Sequence, residues 1–351
     1  MQTKSEIMKR LFVILALVAM VFSACNNKVD LYSNEGDSTV VYAMLDPFVD
    51  TNFFKITHSF IGNTSTMAHD YNANNYEYDE LEVTFTGVFK DSPATQTLLL
   101  DTISKWIPYN PESAFYSGCY QRYYYTTKKL LEGKEYTLNI LRKKDNVNVS
   151  ATASMINEFI FQKPATSTIG FTEVETTVTP VEWRTTAYPF KSTASYFEVT
   201  SYFRYSELMP GKQDTVHRTI QWNMGSGEAD NLYNTNVSLP YYALAYAPSS
   251  LYKLLEKDEY LKNNSPLGVQ RFFEDFRFTI TASGEEMYNY YLVNHSSSAI
   301  QDVPNYSNID NGIGLMSSRV TIIKDIPIEI RSRQKIRDKF PLYGFYVDPN
   351  R

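Results

Sequence analysis

The sequence predicts a mainly β protein of two β-sandwich domains, the first immunoglobulin- or fibronectin-like, the second with two inserted or flanking helices. Three observations predict it. Aromatic residues are 15% of the chain, with 28 Tyr and 21 Phe, and such side chains favour strands. Many short stretches alternate apolar and polar residues with a period of two. In "LLEGKEY", Leu131, Gly133 and Tyr136 have the spacing of a tyrosine corner, a turn found in immunoglobulin-like sandwiches.

The elements follow in chain order. The opening "KRLFVILALVAMVFSACNNK" holds an apolar run from Leu11 to Phe22. About twelve residues fall short of the roughly 20 a spanning helix needs, but they fit the apolar region of a secretory signal behind Lys9 and Arg10. Residues 1–24 are therefore read as a lipoprotein signal peptide. "FSAC" resembles a bacterial lipobox, with Phe22 where Leu is usual, which makes Cys25 the lipidation site and the first exported residue. Residues 25–37 are polar and patternless, and read as a tether.

Residues 38–161 carry the first sandwich. "STVVYAML" is a strand. In "NFFKITHSFI", Phe54, Ile56, His58 and Phe60 fall on one face. In "ELEVTFTGVF", Leu81, Val83, Phe85 and the small Gly87 share a side, and "TQTLLLDTI" is a further strand. Tyr136, Leu138 and Ile140 point inward, "RKKDN" turns, and Val147, Val149 and Ala151 return. Pro164, Gly170 and a Thr/Ser cluster mark a linker over 162–172. Residues 173–351 form the second sandwich, opening with Val181 and a buried Trp183, then Phe197, Val199 and Phe203 on one strand and "DTVHRTIQWNM" on the next. Helices are expected near 249–263, with Leu251, Leu254, Leu255 and Leu261 near one face, and near 284–294. Ser283 and Glu286 have capping-box spacing at the second helix's start, and Met287, Tyr290 and Tyr291 share its sheet-facing side. "RFFEDFRFTITA" and "GIGLMSSRVTIIKDIPIEI" are strands, the latter entered through Gly312 and Gly314, which suit a tight turn or bulge. "SRQKIRDKFPLYGFYV" is a short basic segment and tail.

Composition narrows the function. With Cys25 lipidated, Cys119 is the one remaining cysteine of two, so no intramolecular disulfide forms and the core must hold the fold. The formal charge is −6. Residues 1–24 carry Lys4, Lys9 and Arg10 against Glu6, a net +2, so the exported chain is near −8. Nucleic acid is an unsuitable partner for that charge.

The search for chemistry returns little. His58, His69, His217 and His295 have no metal spacing. "GSGE" at 225–228 lacks the frame of a nucleophile elbow. Cys119 has no evident base. The acid cluster Asp70, Glu77, Asp79 and Glu80 lacks a calcium-loop frame. No catalytic residue, cofactor or metal site is expected. Asp-Ser/Thr-apolar triplets at 37–39, 101–103 and 214–216 resemble a Bacteroidetes O-glycosylation sequon. The aromatic runs at 123–125, 241–242 and 288–291 read as sandwich core, with a stacking platform for sugar rings or peptide as the alternative.

"YNYYLVNHSSS" followed by "YSNIDNGIGLMSSRV" resembles the C-terminal pattern of a large Bacteroidetes lipoprotein family of unknown function. Its members carry Asn-Ile, then Gly-x-Gly, then an aromatic pair leading into a strand; here Leu315 and Met316 stand in place of that pair. The lipobox and the order of elements also fit. The resemblance implies an outer-membrane lipoprotein, often encoded beside TonB-dependent receptors, without established enzymatic activity. The expected function is thus a lipid-anchored, non-enzymatic protein accessory to such a receptor, or binding a glycan or peptide ligand. A fimbrial or surface-assembly subunit and a glycan-active hydrolase are the alternatives. Periplasmic and cell-surface placement stay open.

Overall fold

The computed structural model describes residues 38–59, 77–108, 118–295 (save 175, 187, 189, 236, 266 and 267) and 306–347. The signal peptide, Cys25, the tether, Phe60, His69 and Asp70 lie outside the described residues. The chain is mainly β, as the alternating pattern predicts.

Eight strands build the first sandwich: β1 (Thr39–Leu45), β2 (Asn52–His58), β3 (Leu81–Val88), β4 (Thr95–Leu99), β5 (Asp101–Ile107), β6 (Cys119–Thr126), β7 (Glu135–Arg142) and β8 (Val147–Ser154). One sheet runs β1-β2-β6-β5 and the other β8-β7-β3-β4. Lettered A to G with an added C′, these are the ABED and GFCC′ sheets of an immunoglobulin domain. Period-two burial does the work: Val41, Ala43, Phe54 and Ile56 on one sheet meet Phe85, Leu138, Ile140 and Val149 on the other, all 3% exposed or less.

Tyr136 closes the corner. Its ring is fully buried and stacks on Phe85 at 5.2 Å. Its hydroxyl accepts from the Leu131 N–H at 2.6 Å and donates to the Val88 carbonyl. Gly87 makes the room, because a Cβ there would collide with the Tyr136 ring. Gly133 takes a left-handed φ of 65° at the turn between.

Both open edges of this sandwich are bridged. On one side β4 and β5 are nearly continuous: β4 pairs with β3, buried Leu100 turns the chain, and β5 pairs with β6 in the opposite sheet. On the other side the chain returns from far downstream. Short β16 (Ile309–Asp310) pairs with β8, Asn311 turns at φ 57°, and β17 (Gly312–Ile326) runs parallel to β1 from Gly312 to Ser318. Ile309 and Met316 enter the first core. The Asn-Ile and Gly-x-Gly residues acquire physical roles here. The Asn308 amide donates to the Met316 carbonyl at 2.7 Å and accepts from its N–H at 3.0 Å, holding β16 against β17. Gly312 and Gly314 lie opposite Thr39 and Val41, so close that a Cβ on Gly312 would come 2.7 Å from the Thr39 oxygen, and one on Gly314 would strike the Val41 carbonyl. Turn formation falls to Asn311; the two glycines permit the backbone approach.

The second half of β17 belongs to the second sandwich. From Arg319 to Ile326 it pairs antiparallel with β15 (Gln270–Ser283), beside β11 (Tyr196–Leu208) and β12 (Val216–Glu228). The facing sheet is β13 (Tyr233–Asn234), β14 (Tyr241–Tyr246), β10 (Thr179–Thr185) and β9 (Phe159–Lys163), and short β18 (Phe345–Tyr346) joins β15. Trp183, on β10, is fully buried between Phe197 at 5.1 Å and Tyr242 at 6.1 Å. Its indole N–H has no hydrogen-bond partner among the described residues.

The division of the chain differs from a simple 38–161 and 173–351. The apolar clusters part between Met155 and Ile156, and Ile309 and Met316 rejoin the first. Nor is 162–172 a bare linker: it contains the end of β9, and Ile169 bridges Ile328 while Phe171 enters the second core. The cause is the return of β17, which periodicity within one segment does not reveal.

The helical expectations also shift. The stretch near 249–263 forms two helices, α2 (Ser250–Lys257) and α3 (Glu259–Asn263), after a short α1 (Ala229–Leu232). Asp258 breaks them with extended backbone, and its carboxylate accepts from the Leu261 N–H at 2.7 Å. The basic tail contains a full helix, α5 (Ile330–Lys339), seated by buried Ser332 and Ile336. α4 (Glu285–His295) lies where expected, but Ser283 and Glu286 do not cap it reciprocally. Ser283 stays in β15, where its carbonyl accepts from the Ser195 N–H at 2.9 Å. Ser317, from β17, supplies the cap: its Oγ accepts from the Met287 N–H at 3.2 Å and donates to Glu286 at 2.8 Å.

Candidate functional site

A cleft of about 240 Å³ opens where α4 crosses the end of the β11–β12 hairpin. Local backbone chemistry shapes it. Val199 pairs with Gly225 and Thr200 with Asn223, so Met224 is an extra residue in β12, a β-bulge. Such bulges bend a strand and re-aim its side chains. Gly225 takes φ 143°, which disfavours a side chain.

Three tyrosines line the cleft. Tyr196 on β11 stacks on Tyr288 of α4, with centroids 5.1 Å apart and planes 15° apart, and packs on Tyr291 at 5.4 Å. Met287 adds a further apolar surface, and Glu198, Asn223, Ser226 and Ser283 supply polar groups. The Tyr196 hydroxyl donates to Ser226 Oγ at 2.6 Å, and burial raises its pKa. The Tyr288 hydroxyl donates to the Glu228 carboxylate, which pushes its pKa up to about 12. Glu198 accepts from Thr200 Oγ1 at 3.3 Å and forms no ion pair among the described residues. Behind the cleft the Glu286 carboxyl is raised by burial, which outweighs the opposing bonds from its own backbone N–H and from Ser317.

The residues singled out from sequence are mostly not gathered here. Tyr136 and Trp183 are core residues of separate sandwiches, Gly312 and Gly314 sit at the β1–β17 contact, and Cys25 lies outside the described residues. Ser283 lines the cleft and Glu286 buttresses the helix that frames it. Of the aromatic runs, "YNYY" provides Tyr288 and Tyr291, so the stacking-platform alternative lands on this cleft. Tyr196, Glu198 and Asn223 carried no signal, since they meet α4 only through strand pairing.

A larger concavity of about 560 Å³ lies at the end of the first sandwich beside His58, Tyr78, Asp79 and Arg142. Some of its charges are paired. Arg142 pairs with Asp145 and lies over the Tyr78 ring at 5.4 Å. Glu77 accepts from the Arg122 N–H at 2.6 Å and sits 3.8 Å from Lys55. Of the acid cluster read from sequence, then, Glu77 is held by cations. No group of three or more metal-ligating side chains occurs among the described residues.

Other chemistry-bearing residues are placed as follows. His217, on β12, is 80% exposed and lies 2.6 Å from Glu274. His58 packs edge-on against Tyr78 at 5.3 Å. Cys119 is half-buried at the start of β6, 3.7 Å from the Gln121 amide. Thr102 and Thr215 of the sequon-like triplets are exposed. No protein-family model matches the chain, and no curated protein matches it either.

Proposed function

We propose that this chain is a non-enzymatic, lipid-anchored ligand-binding protein of the outer membrane, accessory to a TonB-dependent receptor. The observation that carries the binding role is the tyrosine cleft between α4 and the bulged β11–β12 hairpin. Sites of this kind combine apolar and aromatic walls with a few placed polar groups. Tyr196, Tyr288 and Tyr291 form the walls, and Glu198, Asn223 and Ser226 the polar groups. At about 240 Å³ the cleft is below the roughly 300–1,000 Å³ of drug-sized sites, so it suits one ring or head group of a glycan or peptide fragment. The anchor rests on the lipobox at Cys25, and the receptor on the family resemblance. The chain's own β16 and β17 occupy the edge a donated strand would take, which weighs against a polymerising subunit.

The test uses native membranes. The protein should fractionate with the outer membrane, Cys25→Ala should release it, and a pull-down should recover a receptor. In a thermal-shift screen of saccharides, short peptides and small amines, at least one class should stabilise the wild type and not Tyr288→Ala. Loss of every binding signal would remove the cleft's role; a soluble wild type would remove the anchor.

A further inference from the structure

We infer that the tyrosine cleft takes a small organic ammonium group, an inference that rests on its being the binding site proposed above. The first ground is charge. Glu198 is the one ionisable acid or base in the lining apart from the tyrosines; no Lys, Arg or His contributes. That carboxylate has no ion-pair partner among the described residues, so the cleft carries a negative charge that a ligand can answer. The second ground is the tyrosines. The faces of aromatic rings are negative and attract ammonium groups, most strongly where water is excluded. Here the Tyr288 and Tyr291 rings lie 5.1 and 5.4 Å from the Tyr196 ring. The third ground is Tyr288. Its hydroxyl donates to Glu228, and a phenol that shares its proton with a carboxylate has a more electron-rich ring. Size agrees: about 240 Å³ holds a head group rather than a chain. A neutral sugar would stack on the same rings, but it would leave Glu198 without a countercharge.

The test titrates the full chain, in a polyoxyethylene detergent that contributes neither sugar nor amine, with choline and with its neutral carbon isostere 3,3-dimethylbutan-1-ol. The readout is saturation-transfer NMR with calorimetry. Choline should bind in the millimolar range, and the isostere at least about tenfold more weakly. Glu198→Gln and Tyr288→Ala should each weaken choline about tenfold while the melting curve shows a folded protein. Tyr288→Phe, which keeps the ring and loses the bond to Glu228, should weaken it by a smaller factor. Equal binding of choline and the isostere would overturn the inference. So would Tyr288-dependent binding of glucose or a neutral peptide with choline silent, although the cleft would then stand as a binding site. Silence of every probe would remove both.

Discussion

Tyr136 shows how one side chain can hold a corner. The ring fills space that Gly87 leaves, and the hydroxyl joins two half-buried backbone groups, Leu131 N–H and Val88 C=O. Tyr136→Ala removes both contributions and should cost about 3–5 kcal/mol. Tyr136→Phe keeps the packing and strands the two backbone groups, costing about 1–3 kcal/mol. Urea titration separates them; equal losses would refute ring packing as the larger effect. Glu286 offers a pH signature. Burial raises its carboxyl against the weaker pull of its own N–H and Ser317, so the folded state holds the proton more tightly than the unfolded chain. Its contribution to stability is therefore full below the ordinary glutamate range and is lost as pH rises through the raised native value. Glu286→Gln should flatten that part of the melting-temperature profile, just above the ordinary glutamate range. An unchanged slope would show that the carboxyl ionises freely in the fold.

At the scale of elements, an ion pair ties β11 and β15 to the C-terminal segment. Arg271 and Glu207 are both fully buried, 2.8 Å apart. Tyr260 on α3 donates to Glu207 at 2.7 Å, and Arg271 also donates to the Ser265 hydroxyl and to the Asn264 and Tyr343 carbonyls. Arg271→Met leaves Glu207 buried with weakened compensation and should cost about 3–5 kcal/mol. Joining it with Glu207→Leu should recover much of that loss, since two apolar side chains need no countercharge. A double variant no more stable than the single one would show that the carbonyl contacts dominate. This clamp also marks what sequence could and could not reveal. Strands whose burial alternates locally, such as β3 with Val83 and Phe85, were legible because period two is written in adjacent residues. Helix α5 was not: of "IRSRQKIRDK", Ser332 and Ile336 are the buried positions, too few to print a period. The break at Asp258 and the cap from Ser317 depend on a carboxylate's rotamer and on a residue 31 positions from Glu286. Half the cleft was legible for the same reason. Tyr288 and Tyr291 stand in one run, whereas Tyr196 and Glu198 reach them only through folding.

For the whole molecule, the consequence lies in β17. Its first half completes the edge of the immunoglobulin-like sandwich beside β1, and its second half is the outer strand of the other sandwich's sheet, beside β15. One continuous strand thus contributes to both cores, Met316 to one and Val320 to the other, with Ser317 and Ser318 fully buried between. Ser318 also accepts from the Ile156 N–H at 3.2 Å, where the chain first passes from one sandwich to the next. Two sandwiches joined by a flexible linker would melt as separate units. Two that share one continuous strand lose core residues together, so their unfolding should couple. Scanning calorimetry of the wild type should give one transition, with calorimetric and van't Hoff enthalpies in agreement. Gly314→Val tests the coupling at its hinge. The position has φ 123°, and a side chain there would strike the Val41 carbonyl, so the strand must move off β1. The variant should lose several kcal/mol, of the order found for overpacked or strained buried sites. Amide exchange should rise in β1, as direct contact requires, and also in β15 and β11, which Gly314 does not touch. If exchange rises in β1 alone, or if the wild type melts in two separated steps, the strand is a shared element of architecture without a shared free energy.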